Sequence, residues 1–167
     1  MNTTQHYING QWTDSQSGQA FDVINPSTEA VAATITLGSA ADTNVAVAAA
    51  KTAFDSWSQT SKEQRLEYLG ALLEQYQSRS EEMAQAISTE MGAPIAMSQA
   101  AQTGAGAGHL KTAMRELKNF EFERGLSERA PNDRIHYEPI GVAALITPWN
   151  WPMNQVILKV GYSLAAG

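Results

Sequence analysis

With 167 residues, 43% of them hydrophobic and 17% charged, the chain can build one domain-sized core and is too apolar to be disordered. Eleven basic side chains against seventeen acidic ones leave a net charge of −6, which argues against a nucleic-acid partner. The chain has no cysteine, so it holds no disulfide, no thiolate metal site and no thiol nucleophile.

The opening residues are polar and lack the basic-then-apolar pattern of a signal segment. No apolar run approaches the roughly 20 residues that cross a bilayer, so no membrane partner is expected and the chain reads as cytoplasmic. Asn9-Gly10, between Ile8 and Trp12, predicts a tight hairpin turn. Phe21-Asp22-Val23 is followed by the turn cluster Asn25-Pro26-Ser27-Thr28. Val31, Ala33, Ile35 and Leu37 then alternate with Ala32, Thr34 and Thr36, the period of a half-buried strand. A small antiparallel meander is expected over residues 7–37.

From Asp42, a plausible N-cap, the period becomes helical, with Val45, Ala49, Ala53 and Trp57 on one face. Ser61-Lys62-Glu63-Gln64 has capping-box spacing ahead of the stripe Leu66, Leu69, Leu73 and Tyr76. A third helix is expected from Ser80 to Met91, stopped by a left-handed Gly92. Ala93-Pro94 restarts a long fourth helix reaching about Phe120.

Gly125 to Asp133 reads as a polar turn region containing Pro131, followed by a short strand at Ile135-His136-Tyr137. Gly141 to Thr147 is an almost continuous apolar run, the pattern of a strand buried on both faces in a parallel sheet. After the turn Pro148-Trp149-Asn150-Trp151-Pro152, a helix is expected over Met153–Ala166. A parallel strand and a helix are half of a right-handed crossover, so the expectation is a chain cut in mid-fold. That cut should leave apolar surface exposed around Val142, Leu145 and Val156.

Several features have plain structural readings. Gly104-Ala105-Gly106-Ala107-Gly108-His109 departs from a dinucleotide fingerprint at His109 and has no strand before it; close helix packing at Gly104 and Gly108 is preferred. His6, His109 and His136 lack ligand spacing, so no metal site is expected. Glu81-Glu82 suits a helix N-terminus, and Met83, Met91, Met97 and Met114 read as core filling.

The turn at residues 147–152 is the strongest chemical candidate. Ligands of open α/β sheets bind beyond the carboxyl ends of strands, and two prolines stiffen this turn around the amide of Asn150, placed between two indoles. Preorganised N–H donors are what a developing oxyanion needs. The residues alone leave two readings open, an oxyanion donor or a rigid packing loop.

An ordered series of motifs runs through the chain: Tyr7-Ile8-Asn9-Gly10-Gln11-Trp12, Val23-Ile24-Asn25-Pro26-Ser27-Thr28, Glu90-Met91-Gly92-Ala93-Pro94, Glu138-Pro139-Ile140-Gly141-Val142, Ile146 to Pro152, and Lys159 with Leu164-Ala165-Ala166-Gly167. This series resembles the amino-terminal third of the aldehyde dehydrogenase superfamily. The resemblance implies an α/β fold in three parts. Residues 1–40 would form a β meander, 41–122 a helical layer, and 123–167 the truncated start of a Rossmann-like parallel sheet.

It also implies a full-length enzyme that oxidises a small-molecule aldehyde to a carboxylic acid with NAD or NADP, through a cysteine thiohemiacetal and thioester. Asn150 would donate to the oxyanion. The main chain of Ile146, Thr147, Pro148 and Trp149 would line the dinucleotide. Lys159 would sit at the edge of the site, either in a charge relay or tying its helix to neighbouring backbone. The parent enzyme would be a homo-oligomer, and this stretch, without nucleophile or glutamate base, would not turn over. The alternative is a non-catalytic, truncated family product acting by binding or by mixing into oligomers.

Overall fold

The structure, a computed structural model, describes residues 3–167. Strand β1 (Gln5–Ile8) pairs antiparallel with β2 (Gln11–Asp14). Asn9 and Gly10 both take positive φ, 52° and 75°, so this is the expected tight turn. It brings the Tyr7 and Trp12 rings to 5.1 Å across the ribbon.

Strand β3 (Ala20–Ile24) pairs with β4 (Val31–Thr36). The Asn25 side chain accepts from Ser27 N at 2.8 Å and its carbonyl from Glu29 N at 2.8 Å, a self-contained Asx turn. The expected meander is therefore two separate two-stranded ribbons. Local turn chemistry closes each hairpin, but no ladder joins β2 to β3.

Helix α1 (Ala40–Trp57) starts three residues earlier than its sequence signal. Ser39 is the N-cap, and Asp42 is the N3 partner of a capping box rather than the cap itself. Asp42 is only 6% exposed. It accepts from Gln16 N at 2.9 Å, Ser39 N at 2.7 Å, Ser39 Oγ at 2.8 Å and Ser15 Oγ at 2.9 Å. One carboxylate thus ties the loop after β2 to the start of α1. The Gln16 amide, then the Ser39 amide and hydroxyl, hold its carboxyl far below the usual aspartate range. The apolar face expected on α1 is only partly covered: Val45 is 48% exposed.

Helix α2 (Lys62–Ser78) carries the capping box as expected, with Ser61 and Gln64 exchanging bonds at 3.2 and 2.9 Å. Helix α3 (Ser80–Met91) ends at Gly92, φ 81°. The long fourth helix is interrupted: α4 (Ile95–Met97) runs through a π-helical turn at Ser98–Gln102 into α5 (Thr103–Asn119). Met83 and Met114 border the core, but Met97 is 41% exposed and fills nothing.

The core lies among α2, α5 and the last helix, α6 (Pro152–Ala166), and centres on Leu69, Tyr76, Leu110, Leu117, Ile157 and Ala165. Of the three glycines in the α5 motif, Gly106 is the one in close contact. A Cβ there would lie 2.7 Å from Tyr76 Cζ, whereas Gly104 and Gly108 face open space. Periodicity could not choose among glycines two residues apart; the position of Tyr76 on another helix does. The Tyr76 hydroxyl donates to the Thr103 carbonyl at 2.7 Å, and burial pushes its pKa up to about 12.

Arg65, 6% exposed, joins α2 to the far end of α6. Its guanidinium donates to Thr60 Oγ1 at 2.9 Å and to the Ala166 and Ala165 carbonyls at 3.1 and 3.4 Å, over the Phe122 ring. It thereby satisfies helix-end acceptors and complements the negative end of the dipole.

The stretch expected as a polar turn is a hairpin instead: β5 (Glu123–Ser127) pairs with β6 (Ala130–His136), with a register shift between Gly125 and Ser127. Nearly every residue of it is exposed, so no apolar alternation marked it. Gly141–Thr147 forms no strand, because no described segment offers it a ladder. No helix among the described residues is long and apolar enough to cross a membrane.

Two outcomes follow. Gly106→Ala drives a methyl into the Tyr76 ring and should cost about 1–3 kcal/mol in urea unfolding, the range for overpacked cores. For Asp42 the folded pKa is depressed, so its contribution is full above its unfolded value of about 3.9 and is lost as pH falls below it. The stability gap between the native chain and Asp42→Asn should therefore be largest near neutrality and shrink below about pH 4 in pH-resolved melts.

Candidate functional site

The turn at residues 147–152 owes its shape to its two prolines and to the helix that follows. Pro152 occupies the first position of α6, where a missing N–H costs nothing. Gln155 N donates to the Trp151 carbonyl at 2.9 Å, so regular helix begins one peptide after Asn150. Trp151 caps α6 with φ −146° and contributes no side-chain bond.

Asn150 is exposed and, among the described residues, its amide makes no hydrogen bond. Trp149 is 78% exposed and Trp151 half-buried, and neither makes a ring contact. The expected clamp of two indoles around the amide is thus not formed by these residues. The turn presents Asn150 to open space, where its N–H donors are available to a ligand.

Thr147, Pro148 and Trp149 line a cavity of 600 Å³ together with Glu90, Met91 and Met153. Three of the four residues expected along a dinucleotide are therefore brought together on one wall. Ile146 is not among the lining residues and is 84% exposed. Apart from Thr147 and Glu90 the lining is apolar, and it carries no Lys or Arg. Glu90 and Met91 enter this lining from the end of α3, where an exposed glutamate has an ordinary sequence signature.

Lys159 lies one helical turn beyond Gln155 and donates to its Oε1 at 3.2 Å. It makes no bond to Asn150 or to the stretch 146–149. A second polar pair went unnoticed in the sequence: His109 Nε2 meets Asn154 Oδ1 at 2.8 Å between α5 and α6. No spacing rule links residues 45 apart in the chain.

A further cleft of 460 Å³ opens between α1, the 141–145 segment and α6, with Phe54, Trp57, Val142, Leu145 and Val160 on its walls. The apolar exposure expected around Val142, Leu145 and Val156 is present, at 40%, 39% and 36%.

The chain matches the model of the aldehyde dehydrogenase family over residues 12–167. A 3-succinoylsemialdehyde-pyridine dehydrogenase from a Pseudomonas species is 44% identical over 98% of the chain. The crystal structure of an aldehyde dehydrogenase from Bartonella henselae is 47% identical and superposes with a TM-score of 0.96 over 99% of the chain. Aldehyde dehydrogenase C of Pseudomonas syringae, solved with NAD+ and octanal, is 44% identical with a TM-score of 0.93 over 98%. The chain spans 34%, 35% and 33% of those three proteins, about a third of their length. By sequence and by fold, this chain belongs to the aldehyde dehydrogenase family.

Proposed function

We propose that these residues supply the oxyanion side of an aldehyde-oxidising site, with Asn150 as the donor. The observation that carries this reading is the placement of Asn150. It is an unpartnered amide at the exposed apex of a proline-stiffened turn, next to a cavity walled by Thr147, Pro148 and Trp149. An amide held just ahead of a helix, in a turn stiffened by two prolines, donates to a developing negative charge with little reorganisation.

A nicotinamide dinucleotide, NAD or NADP, supplies the hydride acceptor when bound. Pro148 and Trp149 would pack its ring end, and Thr147 would contribute backbone polar groups at the same wall. Ile146 belongs to the proposed lining only through its main chain. Lys159, bonded to Gln155, orients that side of α6 and stands at the site's edge.

The nucleophile in this reading is a thiolate from outside the 167 residues, since these contain no cysteine. It adds to the aldehyde carbon, and the carbonyl oxygen becomes the oxyanion that Asn150 binds. Hydride would pass from that carbon to the dinucleotide, leaving a thioester, and attack of a base-activated water on the thioester would release the acid and return the thiol. By themselves, residues 1–167 turn over no aldehyde. The full-length protein acts in the cytoplasm as a homo-oligomer; exposed Ile140, Ile146 and Trp149, at 95%, 84% and 78%, support a need for further covering surface.

Asn150→Ala in the full-length protein should slow hydride transfer about 10²–10³-fold at saturating cofactor, the usual loss for one oxyanion donor. Single-turnover NADH or NADPH formation measures it, and an unchanged rate would overturn the assignment. The 167-residue chain alone should self-associate with rising concentration and bind a hydrophobic dye. A concentration-independent monomer in sedimentation would count against the need for covering surface.

A further inference from the structure

The seam between α5 and α6 is apolar along most of its length: Leu110, Ala113 and Leu117 on α5 face Ile157, Gly161 and Ala165 on α6. The two helices approach closely, and a Cβ at Gly161 would lie 3.4 Å from Leu110 Cδ2. Apolar contact of this kind fixes the distance between helices but resists axial sliding and rotation only weakly, because it is non-directional. The polar bond across the seam is at the end nearest the turn, where His109 Nε2 meets Asn154 Oδ1 at 2.8 Å.

An amide oxygen only accepts, so His109 donates from Nε2. The same imidazole meets the Tyr162 ring edge-on, with centroids 6.5 Å apart. Asn154 and Tyr162 are eight residues apart on α6, a little over two turns, so His109 meets the helix at two levels. That double contact adds a directional restraint to the rotation of α6 about its axis, beside the packing of its apolar face. Apart from Met153, which packs on the core, the start of α6 makes no further hydrogen bond to another element among the described residues. Its cap has no side-chain bond, and the residues from Pro139 to Asn150 form no strand that would hold it.

We propose that His109 is a positioning residue for Asn150, acting through Asn154. This rests on the reading of Asn150 as the oxyanion donor. Asn154 lies in the first turn of α6, and regular helix begins one peptide after Asn150. A rotation of the helix start therefore moves the Asn150 amide directly. Loss of the His109 donor releases that rotation, and the amide no longer points where charge develops.

The test uses the full-length protein with four variants: His109→Phe, His109→Gln, Asn150→Ala and the double variant His109→Phe/Asn150→Ala. Phenylalanine keeps a ring against Tyr162 and removes the donor; glutamine keeps an N–H donor. Single-turnover hydride transfer at saturating cofactor is measured alongside the cofactor Kd and the melting temperature. His109→Phe should slow hydride transfer about 10- to 100-fold and leave the cofactor Kd unchanged. His109→Gln should recover most of that loss. In the Asn150→Ala background the His109→Phe effect should fall below about threefold, because both act on one interaction.

Additive losses from Asn150→Ala and His109→Phe would overturn the inference while leaving the oxyanion role of Asn150 intact. So would an unimpaired His109→Phe beside an impaired Asn150→Ala. An Asn150→Ala variant with native rate would remove the proposed function and this inference together. If His109→Phe does not fold, Asn154→Leu deletes the acceptor instead and must show the same non-additive loss.

Discussion

Where α2 crosses α5, the Tyr76 hydroxyl lies against the bare backbone of Gly106 and donates to the Thr103 carbonyl at 2.7 Å. A buried phenol is costly unless its hydroxyl is bonded, and it can reach that carbonyl only because no Cβ stands in the way. This contact sets the spacing of the two helices over which α6 is laid. Leu110, with no exposed surface, then packs against α6. The chemistry proposed at the carboxyl side of the chain thus depends on a contact made between residues 76 and 106.

Two buried charges tie segments together around that core, and neither is in an ion pair. Asp42 is satisfied by amides and hydroxyls and Arg65 by carbonyls and a hydroxyl. Each charged group is held by several fixed dipoles, which limits the penalty of removing it from water. Each also joins segments distant in sequence: the loop after β2 with α1, and the start of α2 with the end of α6. They hold orientation where apolar contact alone would leave freedom. The His109–Asn154 bond does the same on a neutral scale.

The site region differs in character from the core. Residues 139–151 have no ladder, and Val142, Leu145, Ile146 and Trp149 remain in contact with solvent. A run of this composition is written for burial on both faces. The chain spans about a third of the relatives it matches, and the surface around that run is where a larger body of structure would fit. Asn150, in the turn that follows that run, is exposed as well.

The sequence by itself determined whatever depends on neighbours a few residues away. The Asn9-Gly10 turn, the Ser61–Gln64 capping box, the left-handed stop at Gly92 and the start of α6 at Pro152 all follow from local bonds or backbone sterics. The ordered motifs named the family because they record such local choices in series. Tertiary structure decided the rest. The Asp42 carboxylate, beyond its local capping box with Ser39, is also bound by Ser15 and Gln16 of the loop after β2. Gly106 rather than Gly104 or Gly108 makes the close contact, because Tyr76 is there. The Gly141–Thr147 run is not a strand, because a strand is a relation between two segments and no partner segment is among those described. Helical and turn signals are satisfied within one stretch of chain. Ladders, helix contacts and the aim of a side chain need a second stretch, whose arrival no local pattern encodes.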